Sequence, residues 1–568
     1  MSYLAEALAK VKSVSSLSGS EAMDLLVFNW NRDEKWDVFL YDLSRDMISK
    51  VTSSPDSSLF PRFSNRGDKI VFSRDRDGDE NYQIYVYDLV SKTETQLTHD
   101  YKYYHIRPVF SPSDEKIAFL SNRGGKPTQI FVWRKGEFIE LTRWSEPIFV
   151  IDWLSEKEIV YVKGVYNNEL RIINIEDLSD ELLLKFEKSE IDLGDVDREK
   201  RRILFTSNKD EWYDIGELYI DERRWEWIYR SSHEKYEPQY YKDKILFIEL
   251  VDGVYYLKSF DREDPRKTEI VAEGVVEYEI FGRNIAYISS LSNKPSSLVV
   301  NGREVIDNTP PELRNKLVRS GVSYYRSFDN REIQAIIYKP EKWNKIAVIN
   351  IHGGPDANAA DIWNPLSQLL ALENYMVILP NYRGSTGFGK TFQHLNDKDL
   401  GGGDLRDIIY AAKYARELGA EKIVVLGASY GGYLTALALT KAPDEWDAGI
   451  AIVGFYNWFT EYENEADYLK AYDSIKMDPA LFKDRSPIFF VENIKVPVLF
   501  IHGANDPRCP VEEVYQMANK LRELGRIYEL LIFPDEGHSV RKDSNRVAMY
   551  KKIIEFLNKT VSRGSKSL

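Results

Sequence analysis

Short runs of alternating apolar and polar residues, separated by charged turns, recur from residue 24 to about residue 310 of the chain. Residues 61–64 (Pro-Arg-Phe-Ser) and 69–73 (Lys-Ile-Val-Phe-Ser) are followed 47 residues later by similar runs at 108–111 and 116–120. A period near 45 residues with four short strands per unit is typical of propeller blades, because one four-stranded sheet cannot bury both of its faces alone. The pattern therefore predicts an all-β propeller.

Fainter copies of the second strand of this unit continue along the region. They are apolar runs spaced by 44, 42 and 40 residues, at 159–162, 203–206, 245–248 and 285–288. With the run at 26–28, they predict a seven-bladed β-propeller, give or take one blade, over residues 20–310. The alternative is a β-sandwich with coincidental spacing, which the shared register of so many copies disfavours.

The amino-terminal residues carry a different pattern. An apolar stripe at helical spacing predicts a helix over residues 2–14, formed by Leu4, Ala7, Leu8, Val11 and Val14. Residues 15–20 are rich in serine and glycine, as in a linker. We therefore expect residues 1–19 to be a helix and a linker that lie outside the propeller.

Near residue 310 the pattern changes to strands that alternate with helices. Thr309-Pro310-Pro311 marks the change, and a β-hairpin region follows, ending near Tyr338. The later strands are near-continuous apolar runs, at 346–351, 376–379, 423–426, 450–453, 498–501 and 530–533. Such runs are expected when helices cover both faces of a parallel sheet. Residues 311–568 are therefore predicted to be an α/β domain with its functional residues at the carboxyl ends of the strands.

Composition and charge narrow the choice of partners and location. The net charge of −14 disfavours nucleic acid and anionic membranes as partners. We expect a cytoplasmic protein. No apolar run approaches the length of a membrane span, and the start lacks the design of a signal peptide. The single cysteine, Cys509, allows no intrachain disulfide, as is usual in a reducing compartment. The sequence does not define the oligomeric state. If the protein self-associates, we expect a homodimer formed through propeller edges or the amino-terminal helix.

Ser429 lies where a predicted strand turns sharply into a predicted helix. Glycine stands two residues before it and two after it, at Gly427 and Gly431. A nucleophilic serine on a tight strand-to-helix turn needs this spacing, because a Cβ at either position would collide with the neighbouring chain. We predict that Ser429 is a nucleophile, against the alternative of a glycine-rich turn without chemistry.

A serine nucleophile needs a base, and the base needs a carboxylate that fixes its tautomer. In this fold class the chain order is serine, acid, histidine, which selects Asp506 and His538 after the last two predicted strands. His502 is the alternative base, but as a strand-end histidine it is expected to be structural. Asp535 and Glu536 are alternative acids, although they lie on the same loop as His538.

Acyl transfer also needs hydrogen-bond donors for the developing oxyanion. The backbone amide of Tyr430, which follows the nucleophile, is one expected donor. The glycine-rich run His352-Gly353-Gly354-Pro355 follows an apolar strand, and the amide of Gly354 is the favoured second donor. The alternative is that this run is only a tight turn.

These motifs together resemble the prolyl oligopeptidase family of serine peptidases. The resemblance covers the whole chain and rests on five runs in the order found in the family, at 352–355, 381–389, 427–432, 506–508 and 537–538. It implies a seven-bladed propeller followed by an α/β-hydrolase domain on which the amino-terminal helix packs.

Within the family, the chain is most similar to the compact archaeal acylaminoacyl peptidases (acylpeptide hydrolases). That similarity implies a substrate-binding role for Arg508, two residues after the acid. Cys509 departs from the small or β-branched residue expected there, and we do not expect it to be catalytic. Phe455 and Trp458, which follow the strand ending at Val453, either line a pocket for the residue before the scissile bond or pack in the core.

The resemblance implies a cofactor-free, metal-free serine exopeptidase that removes an N-acylated residue from short peptides, with a side activity on esters. The alternatives are a prolyl-specific endopeptidase, a carboxylesterase, and a propeller scaffold with an inactive hydrolase domain. Complete triad chemistry argues against the inactive scaffold.

Overall fold

A computed structural model describes residues 2–465 and 467–562 of the 568-residue chain. The chain divides into two compact units, which consist of residues 12–290 with 296–307, and residues 1–11 with 291–295 and 308–568. Within the described residues, no helix is long and apolar enough to cross a membrane.

The first unit is a seven-bladed β-propeller. Over the described residues it contains seven four-stranded antiparallel sheets, each built from four consecutive strands. This confirms the all-β propeller prediction and excludes the sandwich. Blade by blade, the strands are Val14–Gly19, Leu25–Trp30, Asp37–Asp42 and Met47–Lys50; Ser58–Phe63, Lys69–Arg74, Gln83–Asp88 and Thr93–Gln96; His105–Phe110, Lys116–Ser121, Gln129–Arg134 and Glu137–Glu140; Ile148–Trp153, Glu158–Lys163, Glu169–Asn174 and Asp180–Lys185; Ile191–Asp197, Arg202–Ser207, Asp214–Tyr219 and Arg224–Tyr229; Glu234–Tyr241, Lys244–Val251, Val254–Asp261 and Thr268–Glu273; Val275–Phe281, Asn284–Leu291, Lys294–Val300 and Arg303–Ile306.

The linker prediction for residues 15–20 is wrong. Val14–Gly19 is the first strand of blade 1 and pairs antiparallel with Leu25–Trp30. The amino-terminal helix is correspondingly shorter than predicted and spans Ser2–Ala9. The serine-rich sequence hides a strand because Leu17 is buried in a core shared with blade 7, a contact that local composition does not indicate.

Blade 1 closes the ring against blade 7 through side chains, because neither blade borrows a strand from the other. Leu17 and Phe28 share an apolar core with Phe281 and other residues of blade 7. The Glu277 carboxylate of blade 7 accepts the backbone N–H groups of Ser16 and Leu17 of blade 1, at 2.9 and 2.5 Å.

The second unit is built on one eight-stranded sheet and is an α/β-hydrolase fold. The strands are β1 (Gly321–Arg326), β2 (Glu332–Tyr338), β3 (Ile346–Ile351), β4 (Met376–Pro380), β5 (Lys422–Ala428), β6 (Ala448–Ile452), β7 (Val498–Gly503) and β8 (Tyr528–Phe533). Their order in the sheet is β1-β2-β4-β3-β5-β6-β7-β8, and the pairs from β4 to β8 are parallel. The predicted fold class is confirmed. The apolar runs of β3 and β5 are buried because helices cover both faces of the sheet.

Helices of this unit lie on both faces of the sheet. They are α1 (Ser2–Ala9), α2 (Pro365–Leu372), α3 (Lys390–Gln393), α4 (Gly403–Glu417), α5 (Tyr430–Lys441), α6 (Trp458–Asn464), α7 (Asp467–Lys476), α8 (Phe482–Arg485), α9 (Val511–Glu523) and α10 (Asp543–Leu557). Short 3₁₀ turns lie at His394–Asn396, Pro479–Leu481, Pro487–Phe489 and Val491–Asn493, and a π-turn lies at Asn558–Ser562. The amino-terminal helix α1 packs on α10, where Arg546 Nε donates to the Ala9 carbonyl at 2.8 Å.

Candidate active site

Ser429 stands on a strained turn between β5 and α5. Its backbone has φ 57° and ψ −125°, a conformation that non-glycine residues rarely adopt. A Cβ added at Gly427 would lie 2.3 Å from the Gly431 carbonyl oxygen, and one at Gly431 would lie 2.2 Å from the Ile351 carbonyl oxygen. The two flanking glycines therefore let the serine project from a turn that no side chain could enter.

The structure brings Ser429, His538 and Asp506 into one hydrogen-bonded chain. His538 Nε2 lies 2.9 Å from Ser429 Oγ, and His538 Nδ1 lies 2.7 Å and 2.9 Å from the two Asp506 oxygens. Asp506 Oδ1 also accepts the backbone N–H groups of Arg508 and Cys509, at 2.9 and 3.0 Å. The carboxylate is thus held by its own loop and orients the imidazole toward the serine hydroxyl, the geometry of nucleophilic catalysis.

His502 lies on the other side of Asp506 and does not contact Ser429. It is completely buried, and its Nε2 donates to the Cys509 carbonyl at 2.8 Å, with Asp506 Oδ2 at 3.5 Å. Burial lowers its pKa below the ordinary value, which disfavours the charged form of the ring. His502 therefore braces the loop that carries the acid.

The two alternative acids are engaged elsewhere. Asp535 pairs with Lys542 at 2.6 Å, and Glu536 accepts the backbone N–H groups of Arg541 and Lys542, at 3.0 and 2.9 Å. Both carboxylates therefore hold the turn that leads into α10.

Residues 352–357 form a loop, here called the oxyanion loop, that lies against the nucleophile turn. A Cβ added at Gly353 would lie 3.2 Å from Ser429 Cβ and 3.7 Å from Ser429 Oγ. Gly354 has φ 121°, a conformation open only to glycine. Tyr430 is the first residue of α5, so its N–H has no acceptor within the helix. This N–H is therefore available to a ligand at the serine.

The Asn-Tyr-Arg-Gly-Ser run after β4 (residues 381–385) holds the start of the oxyanion loop and the backbone just after the loop. Tyr382 hydroxyl donates to the His352 carbonyl at 3.1 Å, and Ser385 Oγ lies 2.9 Å from His352 Nε2. Asn381 exchanges two hydrogen bonds with the backbone of Ala359, at 2.7 and 3.0 Å. Burial lowers the pKa of His352 to about 4, so this ring is a neutral structural partner.

Tyr430 contributes more than its amide. Its hydroxyl donates to Asp404 at 2.5 Å, and the same carboxylate lies 3.3 Å from the N–H of Gly401. Burial raises the pKa of Asp404 to about 6. Sequence reasoning did not identify Asp404, although an acidic residue in the first turn of α4 is the signal that marks it.

The predicted substrate-binding residues fall into two environments. Arg508 is half-buried beside the acid, two residues along the same loop. Phe455 and Trp458 are buried in the core of the unit, where Phe455 stacks on Tyr433 at 4.6 Å and meets Trp458 edge-on at 4.7 Å. Their burial agrees with the alternative that these two side chains pack in the core rather than line a substrate pocket. Cys509 is also buried, and burial raises its thiol pKa well above the ordinary value.

Comparisons with known proteins agree with this architecture. Residues 363–564 match the model described as the prolyl oligopeptidase family, and residues 20–238 match the model of the TolB beta propeller domain. "Dipeptidyl peptidase family member 6" of Caenorhabditis elegans is 30% identical over 45% of this chain and 40% of its own length. The "Acylamino-acid-releasing enzyme" of Arabidopsis thaliana is 29% identical over 37% of this chain and 29% of its own length. These alignments therefore span less than half of each relative.

The solved structures extend the likeness of fold to the whole chain. A Mycobacterium tuberculosis puromycin-hydrolyzing peptidase superposes with a TM-score of 0.86 at 18% identity. The superposition covers 100% of this chain and 97% of that chain. At this identity the likeness shows the fold alone.

Proposed function

Because residues 363–564 match the prolyl oligopeptidase family model, we propose that this chain is a serine peptidase that hydrolyses short N-acylated peptides and releases an N-acyl amino acid. The observation that carries the proposal is the hydrogen-bonded chain from Ser429 through His538 to Asp506. Esters are expected as secondary substrates, because the same nucleophile and oxyanion donors act on them.

In the proposed reaction, His538 Nε2 takes the proton of Ser429 Oγ as that oxygen attacks the scissile carbonyl carbon. The carbonyl oxygen becomes an oxyanion that accepts hydrogen bonds from the amides of Gly354 and Tyr430. The C–N bond then breaks, and His538 gives its proton to the leaving amine. Water repeats the same steps on the acyl-enzyme and releases the N-acyl amino acid. Asp506 stabilises the imidazolium in both halves of the reaction.

The preference for a blocked amino terminus rests on Arg508 and on the named relatives. A guanidinium donates hydrogen bonds to an acyl carbonyl, whereas it repels a free α-ammonium. A relative named for acylamino-acid release is 29% identical over 37% of this chain. A second candidate is release of dipeptides from a free amino terminus, which the likeness to a dipeptidyl peptidase family member favours. That reaction needs carboxylates to hold the ammonium.

The test compares one aminoacyl anilide with and without an N-acetyl group, in wild type and in Arg508→Ala. We expect kcat/KM to favour the acetylated anilide by about 5- to 150-fold, the range that corresponds to an unpaired ammonium beside a cation. Arg508→Ala should reduce this preference, whereas Arg326→Ala, an exposed arginine on β1, should leave it unchanged. Faster hydrolysis of the free amine in wild type would favour dipeptide release instead, and a preference that survives Arg508→Ala would assign acyl recognition to another residue.

A further inference from the structure

Lys476, at the end of α7, lies far along the chain from the oxyanion loop but contacts it inside the protein. We propose that Lys476 is a positioning residue that holds the oxyanion loop, and with it the amide of Gly354, through the carboxylate of Asp356. The inference rests on the proposed acyl-transfer chemistry, and it adds a residue that no catalytic motif in the sequence contains.

The lysine is completely buried and lies between two carboxylates. Its Nζ lies 3.1 Å from Asp356 Oδ1 and 2.7 Å from Asp397 Oδ1, and the side chain has 0% exposure. Asp356 belongs to the oxyanion loop, whereas Asp397 follows the turn after α3 and also bonds His394 at 2.7 Å. An ammonium without solvent contact depends on such partners, because a buried charge is costly unless it is paired.

Asp356 follows Gly354 by two residues, so we expect a shift of Asp356 to reach the oxyanion donor through the backbone. The backbone between them is tightly folded, since a Cβ added at Gly354 would lie only 2.8 Å from the Asp356 nitrogen. The Ala357 N–H donates to the Pro355 carbonyl at 2.7 Å, which makes the turn tight. The loop therefore has little room to absorb a displacement of Asp356 before Gly354 moves.

The other anchors hold the loop on either side of Asp356. Tyr382 and Ser385 bind His352, the Thr386 N–H donates to the Ala357 carbonyl at 3.0 Å, and Asn381 binds Ala359. Between these anchors, Lys476 supplies the ionic contact to Asp356. Loss of this contact would leave the loop attached at its ends while Gly354, in the middle, becomes less well ordered. An oxyanion donor that is misplaced by a fraction of an ångström stabilises the transition state less.

Two aspartate variants separate positioning from a merely structural role. Asp356→Asn and Asp397→Asn each remove one carboxylate from the same buried lysine, so both should lower Tm. We expect Asp356→Asn alone to lower kcat, by about 10- to 100-fold with KM within about threefold, because its partner carries the oxyanion donor. Asp397→Asn should keep the wild-type kcat. Equal kcat in both aspartate variants would overturn the proposal.

Variants of the lysine itself give a second measurement. Lys476→Met removes the charge and Lys476→Arg keeps it, so the arginine variant should recover part of the kcat that the methionine variant loses. If Lys476→Met fails to fold, Asp356→Asn and Lys476→Arg still test the proposal. No loss of kcat in a folded Lys476→Met would contradict it.

A p-nitrophenyl ester and its thiono analogue report on the oxyanion donors without an amino terminus. Sulfur is the weaker hydrogen-bond acceptor, so an ordered oxyanion site favours the oxo ester, and the oxo-to-thiono rate ratio should fall in Asp356→Asn but not in Asp397→Asn. This rate ratio remains a valid measurement even if the N-acyl proposal is wrong, because these esters have no amino terminus. If Ser429→Ala retained ester hydrolysis, the proposed catalytic chain would fail instead, independently of the lysine. An unchanged ratio in Asp356→Asn would refute the role of Lys476.

Discussion

At the scale of single residues, the candidate site depends on a few backbone constraints that surround Ser429. The serine has a positive φ that non-glycine residues rarely adopt, and the carbonyl oxygens of Gly431 and Ile351 leave no room for a Cβ at Gly427 or Gly431. His538 and Asp506 reach the serine from loops after β8 and β7, so three separate segments converge. The site is therefore pre-organised by packing before any substrate arrives.

Removal of Ser429, His538 or Asp506 from this hydrogen-bonded triad should abolish or sharply reduce turnover without unfolding the protein. We expect Ser429→Ala or His538→Ala to lower kcat by about 10⁴-fold or more, because the members act as one unit, and Asp506→Asn to cost the same or less. His502→Ala should change kcat by less than about tenfold, because His502 does not contact the serine. Kinetics on one peptide anilide, with Tm as the folding control, measure these effects. A severe loss in His502→Ala beside a mild one in His538→Ala would reverse the assignment of the base.

The sequence predicted Ser429, Asp506 and His538 because each lies at the end of an apolar strand and their order along the chain is fixed by the fold. The same reasoning did not find Lys476, since its partner Asp356 is remote in sequence and no spacing connects them. It also left open whether Trp458 lines a pocket or packs in the core. Burial of a side chain depends on tertiary neighbours, which a local pattern does not contain.

At the scale of elements, α6 and α7 are linked through two neighbouring carboxyl groups, of which Glu465 is buried and Asp473 is partly buried. Glu465 lies just after α6 and Asp473 lies within α7. Burial and the neighbouring Asp473 carboxyl raise the pKa of Glu465, and burial raises the pKa of Asp473. The two carboxyl groups can lie together away from water only while at least one of them is protonated.

The stability of this region should therefore fall as pH rises. A carboxyl whose pKa is higher in the folded state contributes stability that is complete below its unfolded pKa, near 4. That contribution is lost as pH increases toward the folded value. We expect the Tm of wild type to decrease from pH 5 to pH 9, and the Tm of Glu465→Gln, which mimics the protonated acid, to decrease less. Differential scanning calorimetry across this range measures both. Parallel Tm curves would contradict the role of this pair.

The strand Val14–Gly19 shows why one element escaped sequence analysis. Its serines and glycine resemble a linker, and its ordering depends on Glu277, which lies 260 residues from Leu17 in the chain. The repeat pattern did locate the second strand of every blade between it and residue 306, because each of those strands carries its own apolar run. Local pattern predicts an element well only where its stabilising contacts are also local.

At the scale of the whole molecule, the propeller ring is closed by side chains, so its weakest interface is expected between blades 1 and 7. Glu277→Ala removes the acceptor of two backbone N–H groups, which should cost about 1 to 3 kcal/mol per unsatisfied group. Hydrogen exchange of residues 14–19 in the full chain should accelerate by about fivefold or more. Glu269→Ala, which removes an exposed ion pair with Lys244, is the matched control and should leave this exchange unchanged. Wild-type exchange rates in Glu277→Ala would show that apolar packing alone closes the ring.

The contact between α1 and α10 has a consequence for the order of events during synthesis. Arg546 lies 537 residues after the Ala9 carbonyl that it binds. At about 5 to 20 residues per second, the ribosome needs roughly half a minute to two minutes to supply this partner. All residues of the propeller are completed well before that time, so the propeller can fold while the apolar side of α1 remains uncovered. Helix α1 is thus synthesised before the propeller but is among the last helices to be packed, and during that interval we expect its uncovered apolar side to be a binding site for a chaperone.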